Sequence, residues 1–323
     1  FQTGTDENSL KNVQAAERAG MPTAVLVEQN SNRFRALKTT LGLSTDDFIR
    51  TSAEARHVAG VYKLWRSCAA HGDIYKRAYR GLYCVGCEQF YEESELTDGL
   101  CPIHGTPVEH VVEENYFFRL SAYQDRLLEH MTGRPGWLQP EFRANEVIAF
   151  TRSGLKDQSV SRTNNGWGIP VPGDEKHVVY VWFDALLNYL TVAGYLSDDE
   201  KFGQWWPPSV QMMGKDIFVR FHCTLWPAML MALGLEVPDM LVGHGFWTSE
   251  GEKISKSKGN VVYATELVAD LAKLSGTRPA VAADAARYFL LREVPFGADG
   301  DFSRTALYQR FNSDLANDIG NLL

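Results

Sequence analysis

The sequence predicts an α/β protein whose parallel sheet is interrupted by a long insertion. Helical and strand patterns alternate over residues 1–72 and again after about residue 175, and this alternation is typical of parallel α/β layers. The intervening region, 73–174, has paired cysteines, many aromatic residues and Gly/Pro turns, so we expect a separate insertion there. At 323 residues the chain exceeds one ordinary hydrophobic core, which predicts two or more domains.

The first region contains two helices followed by a strand. Apolar residues recur with helical spacing over 10–19 and 24–41. Residues 47–51 form a short run that suits a strand. The order predicts the first half of a parallel sheet.

The region after the insertion repeats the α/β pattern and then becomes helical. Helices are predicted over 180–190 and 226–233, and strands over 210–213 and 240–242. Further helices are predicted over 264–274 and 282–291, and another begins within 301–323. We find no internal repeat and no low-complexity tract.

The bulk composition excludes several classes of protein. Hydrophobic residues make up 45% and charged residues 22%, which is normal for a globular domain. No apolar run approaches the length of a bilayer span, so we expect no membrane partner. The net charge of −8 excludes a generally basic nucleic-acid binder but leaves a local basic groove open. Five cysteines do not form a disulfide scaffold, which predicts a reducing, cytoplasmic location.

Four residues have the spacing of a structural zinc site: Cys84, Cys87, Cys101 and His104. Each pair has a two-residue spacer, and the intervening segment is long enough for a short β-ribbon that brings the pairs together. Three thiolates and one imidazole complete a tetrahedral zinc site and leave no open position for catalysis. Ordinary buried cysteines are the alternative, and that is how we interpret Cys68 and Cys223.

Lys253-Ile254-Ser255-Lys256-Ser257 is a crowded basic loop between two apolar runs. Ammonium groups so close together repel each other unless an anion shares them, and Lys can neutralise charge on a leaving phosphate. The alternative interpretation is a solvated run of charges.

Other polar and aromatic residues lie where ligands bind in α/β proteins. Lys215 and Asp216 follow one predicted strand and His244 ends the next, and ligands bind at these strand ends. Trp182, Ala185 and Tyr189 share a predicted helix face. On pattern alone, His244 belongs to a turn and the aromatic residues to the core.

Taken together, the motifs resemble those of methionyl-tRNA synthetases, a family of class I aminoacyl-tRNA synthetases, and in the same chain order. The resemblance covers essentially the whole chain. Besides the lysine loop it rests on Thr3-Gly4-Thr5-Asp6-Glu7, the Cys84 to His104 ligand set, Trp167-Gly168-Ile169-Pro170-Val171-Pro172, Tyr180-Val181-Trp182-Phe183-Asp184-Ala185, Phe221-His222 with Trp226-Pro227-Ala228, and Asn312-Ser313-Asp314-Leu315-Ala316-Asn317-Asp318.

The resemblance implies a Rossmann-type parallel sheet interrupted by a zinc-binding connective insertion. It assigns 1–72 and 175–247 to the two halves of the catalytic domain and 73–174 to the insertion. The lysine-loop, stem-contact region would be 248–302, and an α-helical anticodon-binding domain would start at 303–323. The family's first motif, His-x-Gly-His, is expected before Phe1.

The resemblance also implies the reaction and its residues. ATP would activate methionine to methionyl-adenylate, and methionine would then pass to the terminal ribose of its tRNA. The cofactors implied are structural zinc and Mg²⁺ with ATP. Methionine would be bound by Asp6, Trp182, Ala185, Tyr189, Phe221, His222 and Trp226. ATP would be bound by Lys215, Asp216, His244, Lys253 and Lys256, the last two also being catalytic.

Two other functions remain open. One is another class I synthetase, for leucine, valine, isoleucine or cysteine. The other is a binding protein of this fold that has lost catalysis. The sequence also departs from the family at Asn8-Ser9, where His-Gly is common, and in having one extra residue between Asp216 and His222. Ile254 replaces the commoner Met, a swap of similar volume.

Overall fold

The computed structural model describes residues 1–249, 251–254 and 259–322, apart from the side chains of residues 79, 80, 112, 113, 253, 319 and 322. It has the predicted mixed α/β architecture. The strands are β1 (Gln2–Thr5), β2 (Asp47–Arg50), β3 (Ile74–Cys84), β4 (Gln89–Tyr91), β5 (Glu109–Phe118), β6 (Leu138–Gln139), β7 (Gln158–Ser159), β8 (Ser161–Thr163), β9 (Pro170–Val171), β10 (Asp174–Val179), β11 (Gln211–Gly214), β12 (Leu241–His244), β13 (Trp247–Ser249), β14 (Glu252–Lys253) and β15 (Gly300–Phe302).

The helices account for most of the remaining ordered chain. They are α1 (Leu10–Ala19), α2 (Thr23–Thr40), α3 (Ala55–Ala70), α4 (Gln124–Gly133), α5 (Glu141–Arg152), α6 (Val181–Ala185), α7 (Asn188–Ala193), α8 (Asp199–Trp205), α9 (Lys215–Ile217), α10 (Trp226–Leu233), α11 (Ala264–Ser275), α12 (Pro279–Arg292) and α13 (Arg304–Arg310). Two segments, Phe218–Leu225 and Phe311–Ile319, are π-helical.

Apart from the β13–β15 pair, the parallel strands form two groups rather than the single sheet expected. Strand β1 pairs with β2, and β12 lies between β11 and β6. Within the described ranges no ladder joins the two groups; instead α3 packs against α7 and α10, and α7 also contacts β2. Helix packing therefore replaces sheet hydrogen bonding between the groups.

The predicted helix over 180–190 is two short helices, α6 and α7. The Asn188 side-chain amide donates to the Ala185 carbonyl, and the Leu187 N–H donates to Asp184, three residues earlier. A side chain that satisfies a backbone carbonyl competes with the helical ladder, which explains the break. The break buries both Leu186 and Leu187 in the core.

The insertion contains an antiparallel sheet of order β4-β3-β5-β7. Strands β3 and β5 form a long ribbon, and β3 continues into a hairpin with β4 in which Cys84 pairs with Gln89. A small apolar cluster surrounds Cys84, Tyr91 and Cys101 at the tip. In contrast, residues nearer the base, such as Phe118 and Leu127, belong to the main core.

The last region packs α11, α12 and α13 around a second apolar cluster that includes Phe289 and Phe302. Strand β13 pairs with β14 and β15 in a small sheet beside it. Close backbone approach explains a glycine here, because a Cβ on Gly245 would lie 2.0 Å from the Ala298 carbonyl oxygen. Within the part of the chain that the structure describes, no helix has the length and apolar character needed to cross a bilayer.

Candidate active site and metal cluster

The polar residues predicted to bind a nucleotide lie at the carboxyl ends of β11 and β12. Gly214 pairs with His244 at the end of the parallel ladder, and Lys215 and Asp216 follow directly. A Cβ on Gly214 would lie 2.7 Å from Asp216 Oδ1 and 3.9 Å from His244 Cε1. The structure thus brings Asp216 and His244 together at the edge where ligands bind in parallel sheets.

Lys215 forms an ion pair with Asp299, a residue that the sequence analysis did not single out. Its Nζ lies 2.5 Å from Asp299 Oδ2 and 4.8 Å from the centre of the Phe246 ring. The hydrogen bond from Lys215 is the main cause that lowers the pKa of Asp299. Asp299 precedes β15, far along the chain, and no motif in the sequence marks it.

The predicted aromatic residues form one cluster. The Trp182 and Phe221 rings stack with centroids 4.3 Å apart, and the Tyr189 and Trp226 rings lie 5.7 Å apart. Ala185, on the same helix as Trp182, is also buried, and its side chain is small. The cluster joins α6 and α7 to the π-helical segment and α10, so it brings distant parts of the chain together.

His222 is a buried, neutral member of this cluster. Burial lowers the pKa of His222 to about 4. Its Nδ1 donates to the Ile217 carbonyl at 3.1 Å, so its Nε2 is the acceptor for the Tyr189 hydroxyl at 2.9 Å. These two bonds fix the tautomer and the ring orientation.

The extra residue between Asp216 and His222 lies within a segment that is π-helical. The i→i+5 bonding of Phe218–Leu225 accommodates one more residue per turn than an α-helix needs. This local widening allows Asp216 to remain at the strand end while His222 remains in the cluster. Sequence reasoning noted the spacing but did not predict the π-helix.

The indole N–H of Trp182 is buried and has no hydrogen-bond acceptor among residues 1–249, 251–254 and 259–322. Buried polar groups in folded proteins are nearly always paired. The aromatic cluster thus contains one buried donor that no described residue uses.

Asp6 lies close to the aromatic cluster at the end of β1. Its side chain is exposed, but crowded protein atoms remove part of the hydration of the carboxyl group; this desolvation, followed by repulsion from Asp184, raises the pKa of Asp6 to about 6. Two causes raise the pKa of Tyr189: its burial is the larger, and the negative charge of Asp6 is the second. The carboxyl group and the aromatic rings thus share one electrostatic environment.

A buried network that sequence reasoning missed lies behind Asp6. His57 Nε2 lies 3.3 Å from Asp184 Oδ1, and the Asn8 side chain donates to Asp184 Oδ2 at 3.1 Å. The pKa of Asp184 is raised because burial outweighs the hydrogen bonds it accepts from His57 and Asn8. Asn8 is one of the departures from the family pattern, and here it contacts Asp184 rather than Asp6.

Arg162 is a further candidate functional residue that the sequence did not reveal. It lies on β8 beside a cavity of about 230 Å³ that Glu88 and Trp167 also line. Its guanidinium lies 4.1 Å from the Tyr180 ring centre, and Nε and Nη2 lack an acceptor within the described chain. No motif surrounds Arg162, so only the fold places it there.

The four predicted metal ligands converge in space. Their ligand atoms all lie within 4.8 Å of one another; Cys87 Sγ is 3.4 Å from Cys101 Sγ and 3.1 Å from His104 Nδ1. Zinc–sulfur bonds of about 2.3 Å place tetrahedral ligands about 3.8 Å apart, so the donor set fits zinc. All five cysteines are free thiols, in line with metal binding rather than disulfide formation.

Backbone and phenol groups support these ligands. The Cys87 N–H donates to Cys84 Sγ and the His104 N–H donates to Cys101 Sγ, each at 3.4 Å. The Tyr91 hydroxyl donates to Cys87 Sγ at 3.1 Å. Such bonds stabilise thiolate charge and orient the ligands of a metal.

Only part of the lysine loop lies within the described residues. Lys256 lies outside the described residues, and for Lys253 the structure describes the backbone alone, within β14. The geometry of this predicted catalytic pair therefore stays a prediction.

Comparison with known proteins shows the family to which the chain belongs. The family model described as tRNA synthetases class I (M) matches residues 1–110 and 92–323, and the chain belongs to that family. Among its relatives is a methionine–tRNA ligase of Caldanaerobacter subterraneus subsp. tengcongensis, 52% identical over 324 residues. That alignment covers 100% of this chain and 49% of the relative, so the chain spans about half of that protein.

The fold matches solved structures as well. The methionyl-tRNA synthetase of Mycobacterium tuberculosis in complex with methionyl-adenylate aligns with a TM-score of 0.92 and 49% identity, covering 100% of this chain and 62% of that one. The free-state structure of the M. tuberculosis enzyme aligns with a TM-score of 0.79 and 46% identity, covering 94% and 58%.

Proposed function

We propose that the chain is the catalytic region of a methionine–tRNA ligase. It activates L-methionine with ATP to methionyl-adenylate and pyrophosphate, and the methionyl group then passes to the 3′-terminal ribose of its tRNA. The observation that carries the proposal is the aromatic cluster beside Asp6, at the carboxyl ends of parallel strands. The similarity to methionine–tRNA ligases over the whole chain supports the same substrate.

Methionine binds between Asp6 and the aromatic cluster. Ionised Asp6 accepts hydrogen bonds from the substrate ammonium, and the rings contact the polarizable thioether. His222, held by Tyr189 and Ile217, presents a neutral surface that does not repel the ammonium. The roles are shared by Asp6, Trp182, Ala185, Tyr189, Phe221, His222 and Trp226.

ATP binds at the ends of β11 and β12. Asp216 accepts from the ribose hydroxyls, His244 flanks the adenine, and Lys215 approaches the phosphates after exchanging its partner Asp299. Lys253 and Lys256 neutralise the charge that develops on the leaving pyrophosphate. Mg²⁺ accompanies ATP and screens its phosphate oxygens.

The chemical step needs positioning more than proton transfer. A methionine carboxylate oxygen attacks the α-phosphorus of ATP; the new O–P bond forms as the bond to the bridging oxygen breaks, and pyrophosphate leaves with that electron pair. The nucleophile is already ionised, so no general base is required. The protein's contribution is alignment and charge stabilisation.

Zinc is structural in this proposal. Cys84, Cys87, Cys101 and His104 fill a tetrahedral coordination shell, so zinc organises the tip of the insertion and supplies no open coordination position. We assign 1–72 and 175–247 to the catalytic halves, 73–174 to the connective insertion, 248–302 to the stem-contact region and 303–323 to the start of an anticodon-binding domain. The thiol ligands suit the reducing cytoplasm, where the tRNA partner is charged.

Amino-acid-dependent exchange of pyrophosphate into ATP tests the proposal. With the full-length protein, we expect exchange with methionine and little with leucine, valine, isoleucine or cysteine. Exchange driven by one of those amino acids would assign the chain to another class I enzyme. Calorimetric binding of methionine without any exchange would instead indicate a binding protein that has lost catalysis.

A further inference from the structure

Arg220 joins the π-helical segment to the metal-binding tip of the insertion. Its Nη2 lies 2.5 Å from Glu95 Oε1, and its guanidinium lies 5.8 Å from the Tyr91 ring centre and 5.5 Å from that of Phe150. Arg220 directly precedes Phe221 and falls inside the stretch that has one extra residue. One side chain thus links the π-helical segment with the tip of the insertion.

The partners of Arg220 belong to the metal cluster's own support. Tyr91 ends β4, and its hydroxyl donates to Cys87 Sγ at 3.1 Å. Glu95 ends a short 3₁₀ turn, Glu93–Glu95, in which its carboxylate accepts from the Glu92 N–H at 2.8 Å. The Arg220 hydrogen bond helps to lower the pKa of Glu95, so the carboxylate is ionised at neutral pH. Glu95 is therefore a fixed, charged partner for Arg220 on the insertion.

The π-helical segment packs against α5 of the insertion, but a groove lies between it and the metal-binding tip. A cavity of about 570 Å³ is lined by Tyr91 and Glu95 on one side and by Arg220 and Thr224 on the other. Arg220 crosses that space. A second ion pair at its rim, between Lys156 and Glu92, has more exposed partners and does not involve the π-helical segment.

The position of Arg220 in the chain gives this contact a consequence for the aromatic cluster. The Thr224 hydroxyl donates to the Arg220 carbonyl at 2.6 Å, so the backbone of Arg220 is tied to the next turn. Phe221, which stacks on Trp182, and His222, which meets Tyr189, lie between those two residues. Fixing Arg220 therefore restricts the rotation of the turn that presents both rings.

We propose that Arg220 is a positioning residue for methionine, which it never touches. Paired with Glu95 and packed on Tyr91, it holds the π-helical turn so that Phe221 and His222 close the pocket. The inference rests on the proposed function and deepens it, because it extends the determinants of methionine binding to the tip of the insertion.

The expected effect is moderate. About a third of each side chain of the Arg220–Glu95 pair is exposed, so water weakens the attraction. Stacking on two rings adds a contribution of similar size. Together these predict an increase of about three- to tenfold in the Kd and KM for methionine in Arg220→Ala, with KM for ATP unchanged.

The test measures methionine binding by calorimetry, and KM and kcat by pyrophosphate exchange, in the full-length zinc-loaded protein. Arg220→Ala and Glu95→Gln should both raise the methionine Kd, and the double variant should be no worse than the poorer single one. Arg220→Lys should restore part of the affinity, because it keeps the charge but loses the stacking. The control is Arg304→Ala, which breaks a somewhat more exposed ion pair, with Asp270, in the helical region.

Several outcomes would overturn the inference. They are an unchanged methionine Kd in both single variants, an equal rise in KM for methionine and ATP, and additive effects in the double variant. Loss of bound zinc or a lower melting temperature in Arg220→Ala alone would indicate a structural role for Arg220. The methionine Kd of Glu95→Gln would then decide whether the ion pair positions the pocket. Exchange by the unaltered protein tests the proposed function separately, so failure of the two ideas can be told apart.

Discussion

The metal cluster and the aromatic cluster are both compact sites, but the chain builds them in opposite ways. All four metal ligands come from residues 84–104, and two turns with N–H···S bonds bring them together. The aromatic cluster draws on α6, α7, the π-helical segment and α10, and Asp6 joins it from β1. Spacing in the sequence therefore determines the first site locally, whereas the second requires the complete α/β core.

The two sites also differ in what a single substitution should do. In the metal cluster each ligand completes one coordination shell, so the loss of one removes most of the binding energy. In the aromatic cluster the rings share contact with a ligand and partly compensate for each other. Four predictions test this contrast.

Cys101→Ser should lose most of the bound zinc and loosen the tip of the insertion. Structural zinc contributes on the order of 10–16 kcal/mol in small isolated modules, which makes this the largest expected effect. Metal content by mass spectrometry and protection of the insertion against proteolysis measure it. Cys68→Ser, at a buried thiol outside the cluster, should keep its zinc. Full zinc occupancy in Cys101→Ser would disprove the ligand assignment.

Lys256→Ala should lower pyrophosphate exchange by a few hundredfold while the Kd for methionine changes little. The loss of one charge donor that acts in the transition state costs about 3–4 kcal/mol. Lys256→Arg should also be impaired, because a planar fork does not replace a compact charge. Lys273→Ala, an exposed lysine on α11, is the control. A wild-type exchange rate in Lys256→Ala would leave the loop as a solvated run of charges.

The contrast also explains how much could be predicted from the sequence. The helices over 10–19 and 226–233 were predictable because periodic apolar residues lie beside local end signals: Ser9 caps α1, and Gly20 and Gly234 end α1 and α10 in left-handed conformations. The metal ligands were predictable for the same reason, since their geometry is local. The resemblance to a family supplied the aromatic cluster, which periodicity alone would assign to plain core.

What could not be predicted depends on tertiary contacts. The break between α6 and α7 depends on the Asn188 side chain, and the π-helical segment accommodates an extra residue without any distinctive composition. His57 and Arg162 carry no motif, and Asp184 lies in a family block without a role of its own, so only the fold shows the His57–Asp184 pair and the cavity beside Arg162. The strands that we expected in a single sheet form two groups, and helix packing connects these groups. A sequence does not display such packing.

Trp182→Ala should raise the methionine Kd by about thirtyfold and leave ATP binding unchanged. Removing a central, well-packed aromatic ring from a binding site typically costs about 2 kcal/mol. The remaining rings keep part of the pocket, so some affinity persists. Trp205→Ala, an exposed tryptophan on α8, is the matched control for calorimetry with each ligand. Loss of ATP binding with unaltered methionine binding would show that the cluster has been assigned to the wrong ligand.

The smallest effect expected is a dependence of methionine affinity on pH. Desolvation and Asp184 raise the pKa of Asp6 to about 6, so this carboxyl group is ionised at pH 8 and mostly protonated at pH 5. Because only the ionised form attracts the substrate ammonium, the affinity should fall as the pH falls. The fraction of competent protein predicts an affinity about tenfold lower at pH 5 than at pH 8.

The neighbours of Asp6 determine how that measurement is controlled. Asp184, Glu88 and Glu7 raise its pKa, and His57 lowers it, so each can alter the midpoint. His222, with a pKa of about 4, stays neutral over this range and contributes no charge. Asp6→Asn should bind methionine weakly at every pH and give a flat profile by calorimetry. If Asp6→Asn keeps the acid-induced loss, another group is responsible, and if the unaltered protein gives a flat profile, Asp6 does not hold the ammonium.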